Sequence, residues 1–394
     1  MGALTRRISI FGSTGSVGTS TVDLVLRNRD SFRVVALSGH RNIELLATQA
    51  RALRPEVTVI ADEGLRESLD NALAGTGLTV TAGAAALLEA ASIPVDWTMS
   101  AIVGFAGLDV TLKAARTARV LALANKESLV CAGPLVQAAC AESRCKLLPV
   151  DSEHSAIFQL LPDGDLSAIE SICLTASGGP FLRYPLERMA GVTPEQAACH
   201  PNWDMGTRIS IDSASLFNKA MEVIELRELF GIDPDRIEVL VHPQSLVHAL
   251  VTYVDQGMFA HLGPADMRHP IGFALNWPDR QPLPMKPLDL AEQGSLTFER
   301  PDRVRFPALD LADAAMKHGG LAGAVFNGAK ERALDRFIAG DCGFTDMAPF
   351  VGDVLSLHFG RMSAGLNLSS FDLEDVKEAD RWARSTIDDI VGGA

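Results

Sequence analysis

The stretch Ile8-Ser9-Ile10-Phe11-Gly12-Ser13-Thr14-Gly15-Ser16-Val17-Gly18 decides the fold. Its first four residues form a short apolar, partly β-branched run, the pattern of a buried strand. A glycine cluster ends that run, and residues 19–29 carry helical periodicity. Glycines at this junction allow a tight turn and let backbone N–H groups approach a pyrophosphate, while the helix start favours negative charge. The spacing is G-x-x-G-x-x-G instead of the usual G-x-G-x-x-G, so the motif takes its weight from the strand before it and the helix after it. It predicts a nucleotide site at the head of a strand–helix–strand series.

Working outward, residues 1–150 repeat that alternation. Apolar runs at 33–37, 57–60, 97–103, 120–123 and 146–150 read as strands, and 42–53, 108–118 and 126–141 read as helices. Buried-type strands alternating with helices predict a doubly wound, Rossmann-like parallel sheet. The pattern then changes. Runs at 169–175, 237–241, 246–254 and 258–262 read as strands, with Asp255-Gln256-Gly257 turning the last two into an antiparallel hairpin. A helix is expected over 213–230, so this part reads as an α+β catalytic domain spanning 151–277. Pro278, Pro282, Pro284, Pro287, Pro301 and Pro307 oppose regular structure, and 278–307 reads as an extended linker. Helical periodicity at 309–317, 322–338, 347–358 and 372–390 predicts a small all-α domain over 308–394.

Composition narrows the function classes. The chain has 394 residues, 47% hydrophobic and 21% charged, which excludes a disordered chain. Its net charge of −14 argues against non-specific nucleic-acid binding. An anionic small molecule is still compatible, because a ligand feels the local field of its cleft. The six cysteines form no C-x-x-C and read as reduced thiols. No apolar run reaches the roughly 18 residues of a membrane span. The first strand begins too early for a signal or transit peptide, so a cytoplasmic protein is expected.

Several short stretches carry chemistry. The second strand runs into Ser38-Gly39-His40-Arg41-Asn42, with an arginine where an NAD site carries a carboxylate, which favours NADP(H). Asp151-Ser152-Glu153 follows the last strand of the sheet. Alternation along an extended chain would put both carboxylates on one side, suited to Mg²⁺ or Mn²⁺, although such a pair is ordinarily a solvated loop feature. In the segment Asp212 to Glu222, Asp212 reads as an N-cap, and Asn218, Lys219 and Glu222 share one helical surface. Taken alone, Lys219 and Glu222 read as a surface ion pair. Ser213 and Ser215 offer hydroxyls to a phosphate. Ser177-Gly178-Gly179-Pro180-Phe181 and His200-Pro201-Asn202-Trp203-Asp204-Met205-Gly206 read as loops facing a ligand, Trp203 being either a core residue or a lid.

Together with Ala124-Asn125-Lys126-Glu127-Ser128-Leu129 and Val241-His242-Pro243-Gln244-Ser245, these stretches run in order through residues 8–280 and resemble the 1-deoxy-D-xylulose 5-phosphate reductoisomerase family. The C-terminal helices match less closely. The resemblance implies an NADPH domain, a catalytic domain, a linker and a helical domain, usually in a homodimer. It implies that Thr14, Gly15, Ser16 and Val17 hold the pyrophosphate, and that Gly39, Arg41 and Asn42 lie near the 2′-phosphate, read by one of Gly39, His40 and Arg41. Asn125, Glu127 and Gly206 would contact the cofactor. Asp151, Glu153 and Glu222 would ligate the metal. Lys126, Ser152, Glu153 and Glu222 would meet the reacting part of a small phosphorylated sugar, with Lys126 and Glu153 catalytic. Ser177, His200, Ser213, Asn218 and Lys219 would hold its phosphate under Trp203. Two rival functions share the glycine loop: a metal-free NADP-dependent oxidoreductase on another carbonyl compound, and a non-catalytic NADP(H) sensor.

Overall fold

Strand β1 (Arg6–Phe11) buries Ile8, Ile10 and Phe11 completely, as its apolar run requires. It lies inside a seven-stranded sheet with β2 (Phe32–Gly39), β3 (Val57–Ile60), β4 (Val80–Ala82), β5 (Val95–Ser100), β6 (Ala118–Leu123) and β7 (Lys146–Pro149). The order is β4-β3-β2-β1-β5-β6-β7 and every pairing is parallel. The chain runs outward from β1 to β4 and then returns to the other side of β1 as β5. Such a reversal opens a crevice at the carboxyl ends of the strands, where open α/β sheets take ligands. The computed structural model describes residues 5–161, 166–203, 206–363 and 370–393.

The Rossmann-like sheet is the one expected, with local differences. β4 and the helices Arg66–Ala72 and Gly83–Ala91 were not anticipated: a three-residue strand carries no readable period, and the alanine-rich helix has no strong polar face. β5 stops at Ser100, short of the expected 103, because the chain turns away through Gly104 at φ +78°. The expected strand into Asp151 ends at Pro149, and a helix, Ser152–Leu160, starts at once. Asp151 and Glu153 therefore sit at a helix start and not along an extended chain.

Two compact units form. The first comprises Met1–Ser128, Leu135–Ser155 and Asp266–Met285, and the second Leu129–Pro134, Ala156–Ala265 and Lys286–Ala394. Helix Arg268–Asn276 groups with the first unit, where the Trp97 indole N–H donates to the Ala274 carbonyl at 2.9 Å. The second unit holds β8 (Ile169–Ala176), β9 (Ile237–Val241), β10 (Val247–Tyr253) and β11 (Met258–Leu262), in the order β11-β10-β8-β9. The hairpin β10–β11 is antiparallel as expected, whereas β8 and β9 pair in parallel. A parallel pair needs a crossover, and the helices between residues 194 and 230 supply it. The proline-rich segment is irregular apart from a short helix, Leu290–Gln293, and a bridge from Glu299 to Val241. Four helices follow, Ala308–His318, Ala322–Ala339, Met347–Ser363 and Leu373–Gly392.

The expected helix over 213–230 is two helices, Thr207–Ala214 and Phe217–Phe230, broken at Leu216 with φ +59°. Asp212 is therefore no N-cap: it lies near the end of the first helix.

The glycines of the first loop have different jobs. Gly12 has φ +86°, and a Cβ there would lie 2.4 Å from the Ala101 carbonyl oxygen. A Cβ on Gly18 would lie 2.1 Å from the Gly12 oxygen, so this glycine lets the helix seat against the loop. Gly15 has no such need, since the nearest atom to its Cβ would be 3.5 Å away. Gly18→Ala is expected to cost about 1–3 kcal/mol by overpacking, while Gly15→Ala leaves the melting temperature close to wild type. Thermal melts of the two variants check this.

Candidate active site

The glycine loop places backbone donors at a helix start. Helix Ser16–Arg27 has Gly15 as its N-cap, with no side chain capping it. Its first N–H groups therefore face outward, the arrangement that favours an anion. The loop is fixed from behind. Ser13 Oγ donates to Gln49 Oε1 at 2.7 Å, Gln49 Nε2 donates to the Ser13 carbonyl at 2.9 Å, and Ser38 Oγ accepts from Gly12 N–H at 3.1 Å. A Cβ on Gly39 would stand 3.0 Å from the Thr14 methyl, so the ends of β1 and β2 meet here. Thr14, Gly15, Ser16 and Val17 thus share a neighbourhood with Gly39, Arg41 and Asn42. Asn42 caps helix Ile43–Leu53 through Leu45 N–H. Arg41 is largely exposed and pairs with Asp62 at 2.9 Å, which lowers the Asp62 carboxyl pKa.

At the neighbouring strand ends lies an acid–base cluster. β6 and β7 are adjacent and in register from Val120↔Lys146 to Leu123↔Pro149, so the residues that follow them emerge side by side. The Lys126 ammonium meets Asp151 Oδ2 at 2.6 Å, each side chain 13% exposed. His154, fully buried, places Nδ1 3.7 Å from the same oxygen. Burial, the strongest influence on Asp151, pushes its carboxyl up, but Lys126 and His154 together hold it well below the usual carboxylate range. Ser152 Oγ donates to Glu153 Oε2 at 2.5 Å. Asn125 turns the other way. Its amide nitrogen donates to the carbonyls of Ile102 at 2.7 Å and Gly104 at 2.9 Å and to Glu127 Oε2 at 3.0 Å, while its oxygen caps Ser128 N–H. Glu127 accepts from Gly104 N–H.

The second unit holds a group of polar donors. His200 Nδ1 accepts from Asn202 N–H at 3.1 Å and Trp203 N–H at 2.9 Å. That assigns the imidazole proton to Nε2, which points at Ser177 Oγ 2.8 Å away. Ser177 Oγ also accepts from Gly179 N–H at 3.2 Å, so its own hydroxyl hydrogen is left to donate to a ligand. Burial pushes the His200 imidazole below its ordinary value, in keeping with a neutral ring. Gly179, at φ +64°, has room only for hydrogen: a Cβ would meet Ala214 Cα at 2.9 Å and the Ser213 carbonyl at 3.0 Å. The Ser177 loop therefore lies against Ser213. One turn further on, Asn218 Nδ2 donates to Glu222 Oε1 at 2.5 Å and the Lys219 ammonium pairs with Glu222 Oε2. This is no surface pair, since Lys219 is 3% exposed and Glu222 1%. The Trp203 ring is tilted toward His248, centroids 6.4 Å apart. Gly206 is the N-cap of helix Thr207–Ala214. Asp204 and Met205 lie outside the described residues.

Three residues behind the site went unread in the sequence. Gln49 is a lone amide on the apolar face of its helix, beside Leu46, Ala50 and Leu53. His154 adjoins Asp151-Ser152-Glu153, and Lys330 sits among the core residues Phe326, Ala329 and Ala333. Gln49 and Lys330 were visible as polar residues out of phase with apolar surroundings, whereas His154 stands among polar neighbours and carries no such signal. Lys330 Nζ donates to Asp212 Oδ2 at 2.9 Å, both nearly buried. That pair holds the helix carrying Ser213.

Lys330→Met leaves the Asp212 carboxylate buried and unpaired, and is expected to cost about 3–5 kcal/mol, most of it regained in Lys330→Met with Asp212→Leu. Chemical denaturation checks both. His200 contributes a pH effect of known sign. Its folded pKa is depressed, so the unfolded chain takes up the proton first and stability falls as pH drops below about 6.5. His200→Gln removes this titration. The stability advantage of wild type over that variant is therefore expected to shrink from pH 8 to pH 5, as read from melting curves.

Comparison with known proteins gives the family. Three family models match: 1-deoxy-D-xylulose 5-phosphate reductoisomerase over residues 8–133, its C-terminal domain over 147–230, and the DXP reductoisomerase C-terminal domain over 262–386. The 1-deoxy-D-xylulose 5-phosphate reductoisomerase of Ruegeria pomeroyi is 57% identical over 383 residues, covering 97% of this chain and 96% of that one. That of Cereibacter sphaeroides is 54% identical over 394 residues, covering 98% of each. The Zymomonas mobilis enzyme in complex with NADPH superposes with a TM-score of 0.91 at 44% identity, covering 98% of this chain and 99% of that one. A DOX-P reductoisomerase in complex with NADPH, fosmidomycin and magnesium gives 0.94 at 36% identity, covering 98% of both. With such identity over nearly the full length of both partners, this chain belongs to the 1-deoxy-D-xylulose 5-phosphate reductoisomerase family.

Proposed function

We propose that the chain carries out its family's reaction through the residues described above: conversion of 1-deoxy-D-xylulose 5-phosphate to 2-C-methyl-D-erythritol 4-phosphate, dependent on NADPH and a divalent metal. The reaction rearranges a C–C bond and then reduces an aldehyde. The observation that carries the assignment is the Lys126–Asp151 pair, an ammonium and a carboxylate nearly buried at the carboxyl ends of two parallel strands.

The residues fit both cofactors. The uncapped N–H groups after Gly15, with room above that glycine, suit a pyrophosphate. Asp151, Glu153 and Glu222 supply hard oxygen donors, the set that Mg²⁺ or Mn²⁺ prefers, and Asp151 is held ionised. When bound, NADPH supplies the reducing equivalent and the metal ion supplies positive charge to the reacting oxygens. Ser152 and Glu153 contact the reacting end of the substrate, and Lys126 stabilises negative charge or hands over a proton there. Ser177, Ser213, Asn218 and Lys219 bind the phosphate. His200 fixes the Ser177 oxygen so that its hydroxyl hydrogen faces the phosphate, and Trp203 covers the substrate and excludes water. Asn125, Glu127 and Gly206 border the cofactor, with Arg41 beside its 2′-phosphate. Among the described residues, no helix is long and apolar enough to cross a membrane. The protein works as a homodimer in the cytoplasm.

Glu222→Gln is expected to lower turnover at least about 100-fold while NADPH binding, followed by cofactor fluorescence, stays unchanged. A metal-free oxidoreductase would keep its turnover. Arg41→Ala is expected to raise KM for NADPH much more than for NADH, and an equal effect on both would remove Arg41 from the 2′-phosphate.

A further inference from the structure

The Asn202 side chain ties the loop that carries Trp203 to a neighbouring turn, and the tie ends on a residue in an unfavourable backbone conformation. Asn202 Nδ2 donates to the Pro243 carbonyl at 2.5 Å and to Ser245 Oγ at 3.1 Å. An amide nitrogen has two hydrogens, so both are spent on this one turn. The backbone N–H of the same residue donates to His200 Nδ1. Asn202 therefore joins the ring that orients Ser177 to the turn at 242–245.

That turn is a rigid post. His242 N–H donates to the Ala176 carbonyl at 2.7 Å, one residue before Ser177. The His242 ring donates from Nδ1 to the Thr297 carbonyl at 2.8 Å and stacks on Phe298, centroids 4.6 Å apart. Gln244 pairs with Thr297 through both its amide oxygen and its nitrogen. Ser245 N–H closes the turn on the His242 carbonyl at 3.0 Å.

Ser245 itself has φ +54° and is 8% exposed. Glycine reaches that region without the steric cost a side chain brings. A non-glycine residue persists there when its surroundings need it. What serine has and glycine lacks is the hydroxyl, and that hydroxyl is the group Asn202 grips.

We propose that Asn202 and Ser245 are positioning residues: together they latch the Trp203 loop to the 242–245 turn and set the affinity for the substrate. The latch rests on the reading that Trp203 covers the substrate. It acts on binding and leaves the chemical step largely alone, so its loss falls on KM.

The test is steady-state kinetics with 1-deoxy-D-xylulose 5-phosphate at saturating NADPH and Mg²⁺, beside thermal melts. The variants are Ser245→Gly, Ser245→Ala, Asn202→Ala, the double Asn202→Ala/Ser245→Ala, and Trp203→Ala. Ser245→Gly is expected to melt at or above the wild-type temperature, because it relieves the backbone, yet to raise KM for the substrate on the order of tenfold with kcat within about threefold. Asn202→Ala is expected to raise KM at least as much, and the double variant no more than Asn202→Ala alone, the mark of a shared interaction. KM for NADPH stays unchanged throughout. A wild-type KM in Ser245→Gly, or single effects that multiply in the double variant, overturns the latch. If Trp203→Ala raises KM and Ser245→Gly does not, the latch fails and the lid reading stands. A wild-type KM in Trp203→Ala overturns both.

Discussion

Between Lys126 and Asp151 stands an ion pair that ties the exits of β6 and β7 together. Parallel neighbours in register deliver their next residues to the same place, so the geometry follows from the sheet. The turn before Lys126 works in the opposite direction as well. Asn125 grips the carbonyls of Ile102 and Gly104, and Ala101 beside them is the atom group against which Gly12 must be glycine. One short segment after β6 thus sets the wall of the glycine loop on one side and the acid cluster on the other. Without the ammonium, the buried Asp151 carboxylate would keep only His154 beside it, which is expensive in a site of low dielectric.

Much of this was legible in the residues. Strand–helix alternation and the glycine loop gave the Rossmann-like sheet, because buried parallel strands write themselves as apolar runs. Strands 57–60, 237–241 and 258–262 fall where the pattern put them. Breaks were harder. Leu216 is an ordinary helix former, and nothing local announces the left-handed turn that splits the 207–230 region into two helices. Consequently Asp212 looked like a cap, although its partner, Lys330, lies over a hundred residues away. Long-range pairs of this kind have no periodic signature. The same holds for Gln49 and the glycine loop. Glu222 and Lys219 were read correctly as neighbours, but their burial could not be known from a spacing.

The net charge of −14 looked awkward for a phosphate ligand. The structure shows how little the total says about a site. In the second unit the groups proposed to bind the phosphate are mainly neutral: the Ser177 hydroxyl, oriented by His200, together with Ser213 and Asn218. Lys219 is the cation of that group, and Glu222 already shares it. Affinity in such a site comes from oriented hydrogen bonds and a few placed charges rather than from a general basic field.

What most needs testing is that reduction by NADPH requires both the phosphorylated sugar and a divalent metal, with Lys126 and Asp151 as the organising pair. The most direct measurement is NADPH oxidation by the wild-type protein with 1-deoxy-D-xylulose 5-phosphate, before and after Mg²⁺ is removed and restored. Oxidation is expected only when substrate and metal are both present, with full recovery on adding the metal back. Undiminished oxidation in the metal-free protein, or none with this substrate under any metal condition, would contradict it.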